Sequence, residues 1–135
     1  MKRVFVCSPF RAANSLDRHH NVMLAEQACW MVLKGGDAPF APHLLYTRFI
    51  NEDDQAQRAT GISAGKAFLA TCDLVLVVGG KDRRVVTDGM HEEILEARRL
   101  GIEIRSATVL AGLMEFDWPE WDELLAKLIK AGGVA

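Results

Sequence analysis

Leu74-Val75-Leu76-Val77-Val78 is a run of apolar residues with no alternation, opened by Asp73 and closed by Gly79-Gly80. A strand that is apolar at every position must be covered on both faces, the situation of a central strand in a parallel sheet with helices on either side. The segment after it, Thr87-Asp88-Gly89-Met90-His91-Glu92-Glu93-Ile94, opens a helix expected from about Gly89 to Leu100 and stopped by Gly101. On that helix Met90, Ile94 and Ala97 form the stripe that packs on the sheet. Glu93 falls at the stripe's edge, whereas Glu92, Glu96 and Arg99 point to solvent. Burying a carboxylate costs several kcal/mol, roughly, unless it is paired or hydrogen-bonded. Glu93 therefore needs either a structural ion pair or a chemical task, and the pattern alone leaves both open.

The rest of the chain alternates in the same way. Arg3 to Cys7 reads as a strand ended by Ser8-Pro9, and Ser15 to Lys34 as a helix with Val22, Ala25, Cys29, Val32 and Leu33 inward and Gly35-Gly36 as its stop. Ala38 to Pro42 is a short strand limited by its two prolines, followed by a connection from His43 to Tyr46. Asn51 is the expected cap of a helix reaching towards Thr71, with Gly61 a possible break and Ile62, Ala64, Phe68 and Leu69 as contacts. Ile102 to Ile104 begins a fourth strand, and Thr108 to Leu110 either continues it or forms a fifth. Asp117 and Pro119 open a last amphipathic helix bearing Trp121, Leu124, Leu125, Leu128 and Ile129. Such an order predicts an α/β, three-layer sandwich on a mostly parallel sheet of four or five strands.

At 135 residues the chain is expected to be a single domain, residues 1–135. Its net charge of −2 argues against a nucleic-acid binder, although Lys81 to Arg84 forms a local basic patch. The opening segment is too short in apolar residues for a secretory signal and no stretch suits a bilayer, so a cytoplasmic protein without membrane partners is expected. Cys7, Cys29 and Cys72 read as buried thiols. The sequence has neither a metal-spaced His/Cys cluster nor a G-x-G-x-x-G or P-loop signature, and no metal or cofactor is expected. In a parallel sheet the segments after each strand meet at the carboxyl edge, where ligands bind, so Cys7 to Arg11, Pro42-His43 and Gly79 to Glu93 should converge.

These residues resemble the nucleoside 2-deoxyribosyltransferase-like family, which includes nucleoside 5′-monophosphate N-glycosidases and uncharacterised phage and bacterial members. The resemblance covers about residues 3 to 105. It rests on the Cys7-Ser8-Pro9-Phe10-Arg11 turn, Ala41-Pro42-His43, Cys72-Asp73 and Thr87-x-Gly89-Met90-x-x-Glu93-Ile94. It implies a flavodoxin-like sheet and cleavage or transfer of an N-glycosidic bond, with Glu93 as the nucleophile that attacks the anomeric carbon. It further implies that Ser8, Phe10, Arg11, His43, Thr87, Gly89 and Met90 contact a small nucleoside or nucleotide, with Thr87 near a 5′-phosphate, and that the chain forms a homo-oligomer. Gly65 stands where enzymes of the family carry an aspartate that manages the leaving base; Asp53, Asp54 and His43 are the substitutes the sequence offers.

Each residue also has a plainer reading. Thr87 suits a helix cap, Ser8 a turn, Arg11 an ion pair with Glu93, and His43 a partly buried polar position. His19-His20 suit a solvated helix turn, and Trp30, Trp118 and Trp121 the core or a subunit contact. At the level of function, the alternatives to an enzyme are a non-catalytic nucleotide-binding module of the same fold and an oligomer-forming structural protein.

Overall fold

The computed structural model describes residues 1–80, 86–110 and the backbone of residues 113–116. The central apolar run becomes β3 (Leu74–Gly80), flanked by β1 (Arg3–Cys7) and β4 (Glu103–Leu110); β2 (Ala38–Phe40) and β5 (Leu113–Phe116) form the edges. The sheet order is β2-β1-β3-β4-β5. The first four strands run parallel and β5 lies antiparallel to β4. The fold is thus α/β and three-layered, as the alternation required, with a fifth strand that the sequence reading did not place.

Period-two geometry sorts the strand side chains between two cores. Phe5, Cys7, Val75 and Val77 face the layer of α3 (Gln55–Leu69) and α4 (Asp88–Arg99), where Leu69, Met90, Ile94 and Ala97 meet them. Val4, Val6, Leu76, Val78, Ala107 and Val109 face α1 (Ser15–Lys34), which contributes Leu24 and Ala28. Every side chain from Val75 to Val78 is therefore covered. This double burial explains the absence of polar alternation in β3.

Strand β1 and helix α1 have the bounds expected from sequence. Asn14 caps α1, its side chain accepting from the Asp17 amide at 2.8 Å, and Gly36 follows at φ +95°, a left-handed backbone that glycine tolerates. The fully buried residues of α1 are Asn21, Leu24, Ala25 and Ala28; of the expected face, Ala25 is among them and Cys29 and Val32 pack against the same core while partly buried. Small alanines let the helix approach the sheet. Leu33 is exposed, and so is Trp30 (59%), so Trp30 is not a core residue.

Three further expectations are corrected. Pro42 does not end β2; it starts the short helix α2 (Pro42–Leu45), which runs into a 3-10 turn at Tyr46–Arg48. Asn51 does not cap α3. Its side chain accepts from Asp53 within a turn, and Asp54 is the cap, accepting from Gln57 at 3.0 Å. Helix α3 runs unbroken through Gly61, where an added Cβ would come within 2.9 Å of Ile50 Cδ1, so this glycine serves close packing. Thr108 to Leu110 continues β4, and Phe68 is half exposed. Cys7 is buried, whereas Cys29 and Cys72 are only partly so; all three are free thiols. The patch from Lys81 to Arg84 and the last helix, with Trp118 and Trp121, lie outside the described residues.

Candidate active site at the carboxyl edge of the sheet

Helix α4 begins where β3 has delivered the chain to the carboxyl edge. Thr87 is its cap: extended at φ −78° and ψ 168°, it accepts from the Met90 amide through Oγ1 at 3.3 Å. Asp88 sits in the favourable first turn, and Gly101 closes the helix end at φ +70°. This framing fixes the rotation of α4. Met90, Ile94 and Ala97 are pressed into the core, and Glu93, one position before Ile94, is carried to the core's rim.

Glu93 is only 8% exposed, and its Oε2 has no hydrogen-bond partner among the described residues. Burial is the main reason its carboxyl is pushed up from the usual 4.5 to about 8. A hydrogen bond from the Cys7 thiol and the charge of Lys66 pull the other way, while Glu92 adds to the rise. Cys7, at the end of β1, lies beneath the first turn of α4 with its Sγ 3.8 Å from the Met90 carbonyl. Its own titration is raised well above the ordinary thiol value, by burial first and the Glu93 charge second.

Beside Glu93 lies a cavity of about 410 Å³, a volume typical of small-molecule sites. Its wall includes Phe10 and Arg11 from the β1 turn, Pro42 and His43 from α2, Tyr46 and Thr47 from the 3-10 turn, and Val86 to Gly89 from the start of α4. Helix α3 supplies Arg58, Gly61, Ile62 and Gly65. Three chain segments expected to converge at the carboxyl edge do so.

Of the residues singled out from sequence, Phe10, Arg11, His43, Thr87, Gly89 and Glu93 all line this cavity. Ser8 and Met90 do not. The side chain of Met90 belongs to the core, where Ile94 and Leu69 surround it, so substrate contact through that side chain is corrected to a packing role. Ser8 is fully buried and its backbone hydrogen-bonds His43. Arg11 is exposed at the rim and makes no hydrogen bond to Glu93 Oε2.

His43 stacks on Phe10 with ring centroids 5.2 Å apart. Burial, reinforced by the charge of Arg58, lowers its titration from 6.5 to about 4, so it is a neutral imidazole at neutral pH. Of the acids proposed as substitutes at the Gly65 position, Asp54 is occupied as the α3 cap and Asp53 faces a neighbouring hollow. Gly65 itself is buried on the cavity wall, and an added Cβ there would meet Pro42 Cβ at an ordinary 3.5 Å.

Arg58 is the main residue that sequence reasoning missed. It ion-pairs with Glu52 at 3.8 Å and reaches towards Gly89, where an added Cβ would lie 3.8 Å from its guanidinium. The signal was present in the 3.6-residue spacing of Arg58, Gly61, Ile62 and Gly65, which puts them on one face of α3. No group of three or more metal-ligating side chains occurs among the described residues. Nor, among them, is any helix long and apolar enough to cross a membrane.

The parallel sheet in the order 2-1-3-4, extended by an antiparallel edge strand, is a nucleoside 2-deoxyribosyltransferase-like fold. Solved structures agree. A 2-deoxyribosyltransferase from the psychrotolerant bacterium Bacillus psychrosaccharolyticus superposes with a TM-score of 0.62 at 13% identity, over 93% of this chain and 95% of that one. A 2-deoxyribosyltransferase from Leishmania mexicana gives a TM-score of 0.50 at 16% identity, over 80% of this chain and 65% of that one. Residues 2–107 match a family model, and the chain belongs to that family, described as Domain of unknown function (DUF7768). No curated protein matches it significantly.

Proposed function

We propose that this chain is a single-domain enzyme that cleaves or transfers the N-glycosidic bond of a nucleoside or nucleoside 5′-monophosphate, with Glu93 as nucleophile. The observation that carries the reading is the Glu93 carboxyl: buried, with one oxygen unpartnered among the described residues, at the wall of a cavity of about 410 Å³. A structural carboxylate in such a place would be satisfied by a cation or by hydrogen-bond donors. Keeping one oxygen unsatisfied is costly unless a ligand uses it.

In the proposed reaction the ionised carboxylate attacks C1′ as the base departs. The positive charge that develops on the sugar is stabilised by the adjacent anion, and a glycosyl ester forms on Glu93. Water or a second base then resolves the ester. Thr87, Gly89 and the other free amides at the start of α4, with Arg11 at the rim and Arg58 inside, suit an anionic group such as the 5′-phosphate. Phe10 and His43 present a flat stacked pair for a ring. No cofactor or metal enters this scheme, and its partner is the small-molecule substrate, with a homo-oligomer as the working assembly.

Gly65 on the cavity wall gives a second reading its footing, that of a nucleotide-binding module without turnover. One experiment separates the two. The protein is incubated with nucleosides and 5′-monophosphates, and free base is measured by chromatography beside binding by calorimetry. Release that Glu93→Ala abolishes supports the enzyme. Tight binding without release supports the module, and absence of both refutes the site.

A further inference from the structure

The cavity wall carries a phenol that the scheme above leaves unused. Tyr46 opens the 3-10 turn after α2, and its backbone is pinned from both sides. Its amide donates to the Pro42 carbonyl, and its own carbonyl accepts from the Phe49 and Ile50 amides at 3.1 and 3.0 Å. Its ring meets Phe40 edge-on at 6.3 Å and Phe49 at 6.0 Å, contacts that hold the ring without using the hydroxyl. Helix α3 closes on the same turn at Gly61, where an added Cβ would lie 4.0 Å from Tyr46 Cβ. Among the described residues the hydroxyl has no hydrogen-bond partner.

The sheet relates this phenol to the proposed nucleophile. Glu93 stands over the end of β1, where Cys7 is its donor. Tyr46 is tied through Phe40 to β2, the strand paired with β1. Both side chains line one cavity from neighbouring strands, which run about 4.8 Å apart. The α3 face beside them contributes Gly61 and Gly65, which put no side chain into the space. A displacement at C1′ needs such a pair, a carboxylate on one side of the sugar carbon and a proton donor flanking the bond that breaks.

Breaking a C1′–N bond leaves an electron pair on the departing base, and a positioned acid that protonates it contributes roughly 100- to 10,000-fold. Tyrosine is among the side chains able to serve. Several other polar groups of the wall are already committed: Glu52 to Arg58, the Thr47 hydroxyl to the His43 carbonyl, and Thr87 to the Met90 amide.

Resting on the glycosidic reading above, we infer that the Tyr46 phenol is the acid that protonates the departing base. A Glu93 oxygen forms a bond to C1′ while the C1′–N bond breaks. The electron pair of that bond passes to the base, which takes the phenolic proton and departs neutral, leaving Tyr46 as a phenoxide. In the second half-reaction water, or the N–H of a second base, attacks C1′ and gives its proton to the phenoxide. The C1′–O bond to Glu93 breaks, and carboxylate and phenol are both restored.

The test compares the wild type with Tyr46→Phe, which keeps the ring that meets Phe40 and Phe49 and removes only the hydroxyl. Two kinds of leaving group are used. One is the natural bases, on ribo- and deoxyribonucleosides and their 5′-monophosphates; the other is para-nitrophenolate on the same sugars, which departs as a stable anion and needs no proton. On the natural compound that the wild type cleaves fastest, kcat/KM is expected to fall about 100-fold or more in the variant. On the matching nitrophenyl compound it should be nearly unchanged. The alkaline limb of the wild-type pH profile on the natural compound, where the acid has lost its proton, should disappear in the variant. Equal losses on both leaving groups would mean that Tyr46 only shapes the cavity, and an unchanged rate on the natural compound that the proton comes from elsewhere. Either result overturns the assignment and leaves the glycosidic reading standing. No base released by the wild type from any natural compound overturns both.

Discussion

Replacing Glu93 by glutamine should stabilise the fold by an amount that grows with pH. In the unfolded chain the carboxyl titrates near its usual 4.5, and in the fold at about 8. Between those values the folded state holds a proton that the unfolded state has lost, so stability falls as pH rises through that window. The slope is about 1.4 kcal/mol per pH unit; the loss reaches about 3 kcal/mol at pH 7 and levels off above the folded-state value. Because the carboxyl is buried, solvent screening does little to reduce this. Glutamine has the same shape and no proton to lose. Chemical denaturation of both proteins from pH 5 to 9 should give stabilities that nearly meet at the acid end and diverge towards the alkaline end, and thermal unfolding at pH 7 should show a Tm difference of about 10 °C. Parallel curves would mean that the carboxyl is hydrated or ion-paired, and the reasoning about Glu93 would fail.

Removing the Cys7 thiol by Cys7→Ala takes away a donor that supports the Glu93 carboxylate; the acid limb of the activity profile should move to higher pH, and an unmoved limb would refute the contact. Thr87→Ala deletes the α4 cap and should cost about 1 kcal/mol in denaturant unfolding. A serine at the same position should restore most of that stability. Gly65→Ala should be tolerated, because its Cβ meets Pro42 at an ordinary distance. The gain in helix propensity is up to about 1 kcal/mol, and a loss of more than that would contradict the geometry. Ile94→Ala, in the core between α4 and the sheet where Ile94 is fully buried, should cost about 2–5 kcal/mol, measured by the same unfolding curves.

Local chemistry made much of the fold legible in the sequence. The bounds of β1 and α1 follow from a proline, the apolar spacing and two glycines, signals that act within a few residues, and the structure adds Asn14 as the cap of α1. The uniform apolar run of β3 announced a strand covered on both faces, and the Met90-Ile94-Ala97 stripe fixed the inward face of α4. Where several residues of one chemical type compete, the sequence was ambiguous. Asn51, Asp53 and Asp54 are all capable caps, and the turn that brings the Asn51 side chain onto the Asp53 amide decided for Asp54. The face of α1 was legible in part: Ala25, Cys29 and Val32 meet the core, but the most deeply buried positions also include Asn21 and Ala28, and Leu33 stays exposed.

The sequence by itself determined the alternating architecture, the edge at which its loops collect and the rotation that carries Glu93 to the rim of the core, because strand and helix periods are properties of the local chain. Tertiary structure alone decided the rest. It left one oxygen of Glu93 without a partner among the described residues, turned Met90 into the core, buried Ser8 behind His43, and brought Arg58 and Gly65 from α3 to the cavity wall. Solvation, pairing and cavity shape depend on segments that are distant along the chain, and a residue's spacing does not encode which of them arrives beside it.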